Sequence, residues 1–179
     1  FNFTKISLFV MENEIKAIKS LIENPNLGLG TDLLHFVSEL TPLVNVDLLI
    51  QKKIADKIGT LLTWREDNFY RGWHFPGGII RYKETMSERV KKVALNELGV
   101  ENLELEGPIN LEEIINFDRS IRGHFISLLF RCNLKTEPTG ALKFINNAKI
   151  RNGVWKYHNR IPKNLLKQHL RYKRYFHEQ

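Results

Sequence analysis

The sequence lacks the features that mark membrane, secreted and repetitive proteins. Its apolar runs, such as Ile6 to Met11, are far shorter than the roughly 18 residues that a membrane-spanning helix requires. Cys132 is the sole cysteine, so the chain can form neither an internal disulfide nor a multi-thiolate metal site. Internal repeats, low-complexity tracts and Ser/Gly linkers are also absent. We therefore expect a soluble cytoplasmic protein that makes no contact with membranes.

What is present suits one folded unit. The chain has 179 residues, of which 42% are hydrophobic and 26% are charged. This composition is close to the globular average, and the length fits one compact domain with a modest extension.

Most of the chain has no excess charge of either sign. The first 150 residues carry 19 basic and 19 acidic side chains, whereas residues 151–179 carry 8 basic residues and Glu178 as their one acid. An overall charge of +7 usually favours nucleic acid as a partner, but its confinement to a short tail makes that partner unlikely here. The pattern after Pro162 predicts a basic amphipathic helix. Its outer face is either solvated, or it contributes to an anionic nucleotide site, binds an acidic partner or makes non-specific contacts to nucleic acid. We expect the excess charge to describe this helix and not the active site.

Two helical patterns precede a region rich in strands. Apolar spacing predicts helices at 12–23 and from Thr31 to just before Pro42, so residues 1–38 form an N-terminal helical extension and 39–179 the main domain. Strands are expected at 43–51, 60–65, 103–105, 109–117, 124–134 and 154–157. A strong helix over 85–98 ends at Gly99. The mixture predicts an α/β or α+β fold around one sheet.

Residues 77–100 carry the informative motif, GGIIRYKETMSERVKKVALNELGV. They resemble a Nudix box, in which Gly, five residues, Glu and seven residues precede Arg-Glu-apolar-x-Glu-Glu-x-Gly-apolar. The matching positions are Gly78, Glu84, Ala94, Glu97, Gly99 and Val100. Lys92, Val93 and Asn96 replace the Arg and two of the Glu residues. Glu97 is therefore the surviving acid of the metal-binding cluster, and Glu84 is expected to pair with Lys92 or to order the loop.

The reduced box resembles that of the GDP-mannose mannosyl hydrolases within the Nudix superfamily. The segment Thr41 to Asp47 is also similar to the start of that branch's first sheet strand. The resemblance implies an α/β/α sandwich around a mixed β-sheet and Mg²⁺-dependent hydrolysis of a nucleoside-diphosphate sugar. We also expect a homodimer, to which the N-terminal helices are candidates to contribute.

Individual roles follow from the resemblance, position by position. It implies that Glu97 and the carbonyl of Gly77 contact Mg²⁺, that Arg65 contacts the diphosphate, and that Asp47 lies near the substrate. Three positions differ, because Ile79 and Lys92 replace arginines and Phe125 replaces a tyrosine. Arg81 is the candidate to compensate for Ile79, since it lies two residues further along the same strand. Lys92 is kept as a candidate contact to the substrate.

The general base of the related enzymes has no counterpart at its expected position. Aligned on Trp155, Lys149 and Ile150 stand where those enzymes have Gln-His. His124 is the leading substitute, and Glu112 and Glu113 are weaker candidates. Two functions therefore remain open: a hydrolase that cleaves either the glycosidic or the phosphoanhydride bond, and a nucleotide-sugar binding module without turnover.

Overall fold

The computed structural model describes residues 5–145 and 149–176. The α-helices within these residues are α1 (Lys5–Ser20), α2 (Thr31–Leu40) and α3 (Met86–Val93). The strands are β1 (Leu43–Ile54), β2 (Lys57–Glu66), β3 (Arg71–His74), β4 (Gly77–Ile79), β5 (Leu103–Ile115), β6 (His124–Leu134) and β7 (Trp155–His158). Short 3-10 helices lie at Pro25–Leu27 and Gly140–Leu142, and a longer one at Lys167–Tyr175.

All seven strands form one mixed sheet with β1 at its centre. β1 runs parallel to β6 and pairs antiparallel with β4 at its start and with β2 at its end. β2 continues to β3 and β7, while β5 pairs with the outer edge of β6. The register of β1 and β4 sets Asp47 opposite Gly77, which brings the glycine loop to the middle of the sheet.

Both faces of the sheet are covered, as the alternation along β1 requires. Leu48 and Ile50 face a core that includes Val90 and Val93 of α3. Leu49 faces the opposite core, which contains the aromatic residues Trp73, Phe75, Tyr172 and Phe176. This arrangement confirms the predicted layers around a mixed sheet, with α3 on one face and the C-terminal segment on the other.

Three local predictions were wrong in detail. The tail forms a 3-10 helix and not the regular helix predicted, and its polar residue His169 is buried beside Tyr172. Residues 103–105 and 109–117 belong to one strand, β5, with a register shift between Glu106 and Asn110. The segment 52–59 is a continuation of the β1–β2 hairpin, whose mostly exposed end accounts for its polar sequence.

The predicted extension contacts the loops of the sheet domain. Ser38 in α2 is buried, and its hydroxyl accepts a hydrogen bond from the backbone amide of Arg122 at 3.0 Å. The ring of His35 meets Phe69 edge-on, with their centroids 5.5 Å apart. None of the helices in the described part of the chain has the length and apolar character needed to cross a membrane.

Candidate active site

The helix of the glycine-rich motif delivers Glu97 to the sheet. α3 begins with a capping box, in which Thr85 and Glu88 each bind the other's backbone amide. The helix then widens into a π-helical segment, Ala94–Leu98, and ends at Gly99 with a φ of 68°. Only glycine adopts this left-handed conformation without strain. Glu97 thus lies in a π-helical segment, a feature that often occurs at functional sites.

Glu97 accepts two hydrogen bonds inside the site. The amide of Gly77 donates to Oε1 at 3.0 Å, and the hydroxyl of Thr63 donates to Oε2 at 2.8 Å. The pKa of Glu97 is raised to about 7, mainly by burial and also by the nearby charge of Asp47. The two hydrogen bonds and the charge of Arg65 oppose this rise. The side chain is nevertheless 25% exposed, so it remains accessible to a ligand. A bound cation would relieve the cost of ionising this carboxyl.

Two neutral histidines lie beside Glu97. Burial is the main reason that the pKa of both His74 and His169 falls to about 3. When Glu97 is ionised, the Thr63 hydroxyl donates its proton to it, so the Nε2–H of His74 then donates to the Thr63 oxygen, 3.0 Å away. His169 accepts the Phe75 amide on Nδ1 at 2.9 Å, so its own proton lies on Nε2.

Asp47 is the second carboxyl of the site and is almost fully buried. It accepts hydrogen bonds from Asn45 at 3.1 Å, from Tyr172 at 2.9 Å and from the hydroxyl of Ser127. Burial raises the pKa of Asp47 to about 6 despite these three donors. Gly77 has to be glycine here, because a Cβ atom would lie 2.4 Å from Oδ1 of Asp47.

Arg65 extends the site along β2. Its Nε donates to Asp67 at 2.5 Å, and its guanidinium lies 4.8 Å from the ring centre of Tyr70. Arg65, Asp47, His74 and Gly77 all line a cleft of about 980 Å³. The opposite wall of this cleft comes from the β5–β6 loop and from the C-terminal 3-10 helix.

The metal donors in this cleft are few. Within residues 5–145 and 149–176, no three His, Cys, Asp or Glu side chains converge as a metal site. Asp47 is already bound by three donors, and the two histidines are committed to hydrogen bonds. Mg²⁺ often takes only one or two protein carboxylates when phosphates and water complete its octahedron. The donors therefore fit a Mg²⁺ ion shared with a phosphate-bearing ligand, with Glu97 as its carboxylate.

Four of the predicted site residues are not among those that line this cleft. Glu97 is one of them, although it binds the amide of Gly77, which does line the cleft. Lys92 pairs with Glu84 at 2.9 Å, as the structural interpretation of Glu84 anticipated. Arg81 donates to the carbonyl of Asn26 at 3.3 Å, and His124 lies 3.2 Å from a carboxylate oxygen of Glu113. Glu84 also pairs with buried Arg89 at 2.6 Å, and these partners lower its pKa to about 2.

One of the alternatives for the tail was a contribution to an anionic nucleotide site, but the expectation that its excess charge lies apart from the active site was wrong. Lys167, His169 and Arg171 line the cleft, and Tyr172 binds Asp47 from beneath it. Thr63, Ser127 and His169 were not predicted from the sequence, because each comes from an element remote in sequence from the glycine-rich motif. A His and a Tyr among regularly spaced leucines in the tail were the available signal.

With the geometry in place, comparison with known proteins identifies the class. The model of the NUDIX domain family matches residues 44–176, so the chain belongs to the Nudix family. A MutT NUDIX hydrolase from Burkholderia pseudomallei is 18% identical, with a TM-score of 0.51 over 71% of this chain and 92% of that one. This likeness supports the fold alone.

Two further relatives carry more specific names. The low-salt glycan biosynthesis protein Agl8 of Haloferax volcanii is 35% identical over 80 residues, or 44% of this chain. The match spans about half (49%) of the length of that curated relative. The NUDIX domain of Shewanella oneidensis NrtR, solved with ADP ribose, is 17% identical with a TM-score of 0.44, over 65% of this chain and 72% of that one.

Proposed function

We propose that this chain is a Mg²⁺-dependent Nudix hydrolase of a nucleoside-diphosphate sugar of the GDP-mannose type, or of a related nucleoside diphosphate derivative. The observation that carries the proposal is that Glu97 binds the amide of Gly77, and that Gly77 lines one cleft together with Asp47 and Arg65. This arrangement offers a carboxylate for a cation beside the cleft and a guanidinium for phosphate within it. The partial likeness to a glycan biosynthesis protein supports a sugar-bearing nucleotide as substrate.

Glu97 and the carbonyl of Gly77 would hold Mg²⁺, which neutralises the negative charge of the leaving diphosphate when bound. Arg65 binds the diphosphate oxygens with its planar guanidinium, which Asp67 and Tyr70 hold in place. Thr63 and the Gly77 amide fix the carboxylate of Glu97 in one orientation. These contacts position the substrate before any bond is broken.

Asp47 is the proposed acceptor of the proton from the attacking water. His74 and His169 are poor bases, because burial lowers the pKa of both to about 3, and His124 does not line the cleft. Ser127 and Tyr172 both donate to Oδ2 of Asp47, whereas among the described residues Oδ1 accepts only the side-chain amide of Asn45 and so keeps a lone pair for a proton. The pKa of Asp47, about 6, suits proton transfer near neutral pH. Asp47→Asn should then lower kcat at least ~100-fold with a smaller change in KM, since general base catalysis is typically worth 10²–10⁴.

The test is a panel of nucleotide sugars assayed with and without Mg²⁺. Wild-type protein should turn over at least one of them, and Glu97→Gln should abolish that activity. Glu113→Gln is the matched control, because it removes a 60% exposed carboxylate from outside the cleft. Free sugar as product supports glycosidic cleavage, whereas a sugar phosphate supports cleavage of the phosphoanhydride. Turnover that survives Glu97→Gln contradicts the proposed role of the metal.

A binding module is the second candidate function. It is favoured by the replacement of the box acids at Val93 and Asn96 and by the sparse metal donors among the described residues. Under this alternative the nucleotide sugar binds without Mg²⁺ and is never consumed. The same panel separates the two functions when binding is measured beside turnover.

A further inference from the structure

Three arginine side chains meet around one pair of aromatic rings in the cleft. The guanidiniums of Arg65 and Arg119 lie 4.8 and 4.9 Å from the centre of the Tyr70 ring, and that of Arg122 lies 5.9 Å from it. Arg119 and Arg122 also lie 5.8 and 5.5 Å from the centre of Phe69. Cation–π contacts of this kind hold like charges together on a shared apolar surface.

The cluster carries more positive charge than its surroundings neutralise. Among the described residues, Asp67 is the one carboxylate within 4 Å of these three guanidiniums, and it pairs with Arg65. The Nε atom of Arg122 is buried and has no hydrogen-bond partner in the described part of the chain. Burial and the charges of Arg65 and Arg119 lower the pKa of Arg122. The cluster therefore has a net positive charge that a bound anion would neutralise.

The β5–β6 loop holds Arg119 and Arg122 in position. The amide of Asn116 binds the carbonyl of Gly123 at 2.7 Å, which closes the loop across its base. Arg122 has a φ of 55°, a left-handed conformation that costs energy for a residue with a side chain. Its amide is held by Ser38 of α2, and Arg119 donates to the carbonyl of Phe69 at 2.7 Å. The strained backbone is thus fixed from both sides.

We propose that Arg65, Arg119 and Arg122 together form the binding site for the diphosphate group of the ligand. The identity of that anion as a nucleoside diphosphate rests on the proposed function. All three arginines line the same cleft as Asp47 and Gly77, and Arg65 is close enough to lower the pKa of Glu97 and of Arg122. A diphosphate can therefore extend along the cleft from Gly77, whose amide binds Glu97, to the β5–β6 loop.

This placement accounts for the absent box arginines. Ile79 and Lys92 replace these arginines, so neither position supplies a guanidinium. The ammonium of Lys92 is instead paired with Glu84. Arg119 and Arg122 provide two planar donors from a different element, and such groups bind diphosphate oxygens in pairs. The aromatic rings of Phe69 and Tyr70 then serve as supports for arginines instead of stacking a nucleobase.

Inorganic pyrophosphate in EDTA tests this site without metal or turnover. Calorimetric titration should show binding by wild type and at least ~10-fold weaker binding by Arg119→Gln and by Arg122→Gln, the loss expected for a charge-assisted hydrogen bond. Arg71→Gln is the matched control, because Arg71 lines the cleft but is 74% exposed and pairs with Glu66. It should change the dissociation constant less than ~3-fold, as surface ion pairs contribute little.

A stability measurement excludes a purely structural role for Arg122. Removing one of three clustered like charges should leave the urea midpoint of Arg122→Gln unchanged or raised, whereas a structural arginine would lower it. Arg122→Lys keeps the charge and should bind pyrophosphate better than Arg122→Gln does. Binding of pyrophosphate that is equal in wild type and in both Gln variants overturns the proposal.

The two proposals can fail separately. If the Gln variants lose pyrophosphate binding but wild type hydrolyses no nucleotide sugar, the diphosphate site stands and the hydrolase does not. If wild type hydrolyses a nucleotide sugar and the Gln variants match it in both turnover and pyrophosphate binding, the site is overturned and the hydrolase stands.

Discussion

Glu97→Gln should stabilise the unliganded protein at neutral and alkaline pH while removing its metal ligand. In the native state burial holds the pKa of Glu97 near 7, whereas its ordinary value is 4.5. Between these values the native protein keeps a proton that the unfolded chain releases, so wild type loses stability as the pH rises. Glutamine keeps the amide contact and never ionises.

The expected size follows from the same two pKa values. At ~1.4 kcal/mol for each pH unit, the interval from 4.5 to about 7 corresponds to about 3 kcal/mol. Since 25% of the side chain is exposed, we expect about 2 kcal/mol in favour of Glu97→Gln above pH 7. Below pH 4.5 the difference should vanish, because Glu97 is then protonated in both states.

Urea denaturation of both proteins at pH 4.5, 6, 7 and 8.5 measures this difference. Glu84→Gln is the control of opposite sign, because the pKa of Glu84 is lowered to about 2 by Lys92, Arg89 and the Arg81 amide. It should cost about 3 kcal/mol at neutral pH, and the loss should shrink as the pH falls from 4.5 towards 2. If Glu97→Gln changes the free energy of unfolding equally at pH 4.5 and 8.5, the pKa of Glu97 is not raised in the native protein and the reasoning is refuted.

Three other outcomes are expected. Tyr172→Phe should destabilise the protein by ~1–2 kcal/mol in urea, because it removes a donor to buried Asp47. His169 has a pKa of about 3, so protonation of the unfolded chain should lower stability as the pH falls from 6.5 towards 3, and His169→Asn should reduce that dependence in acid titrations. Sedimentation should show a dimer for the intact chain and a monomer without residues 1–38, since apolar side chains of α1 such as Ile15 and Ile18 are exposed. A monomeric intact chain would contradict this.

The glycine-rich motif was readable in sequence because its contacts are local. Gly77, Gly78 and Glu97 lie within one loop and the helix that follows it, so their spacing alone predicts that they meet. Helix capping at Thr85 and the stop at Gly99 are equally local signals. The mixed sheet could be expected from the same resemblance.

The rest of the site depends on pairings that no local pattern records. Tyr172 and Ser127 reach Asp47 from 125 and 80 residues away in sequence, and both donate to the same carboxylate oxygen. In the sequence, nothing distinguishes Arg119 and Arg122 from other charged loop residues. Their role depends on the fold, which places both guanidiniums beside the rings of Phe69 and Tyr70. His124 looked available as a base, but its ring contacts Glu113 beside it in the sheet.

The most direct test of the account is the coupling between Mg²⁺ and a nucleoside diphosphate in the cleft. Calorimetry should show weak binding of Mg²⁺ alone, since Glu97 is the carboxylate available to it among the described residues. The wild-type protein with GDP bound should bind Mg²⁺ at least ~10-fold more tightly than free GDP does. In Glu97→Gln this gain in affinity should be much smaller. Equal Mg²⁺ affinity with and without GDP, or undiminished coupling in Glu97→Gln, would contradict a metal shared between Glu97 and the substrate's phosphates.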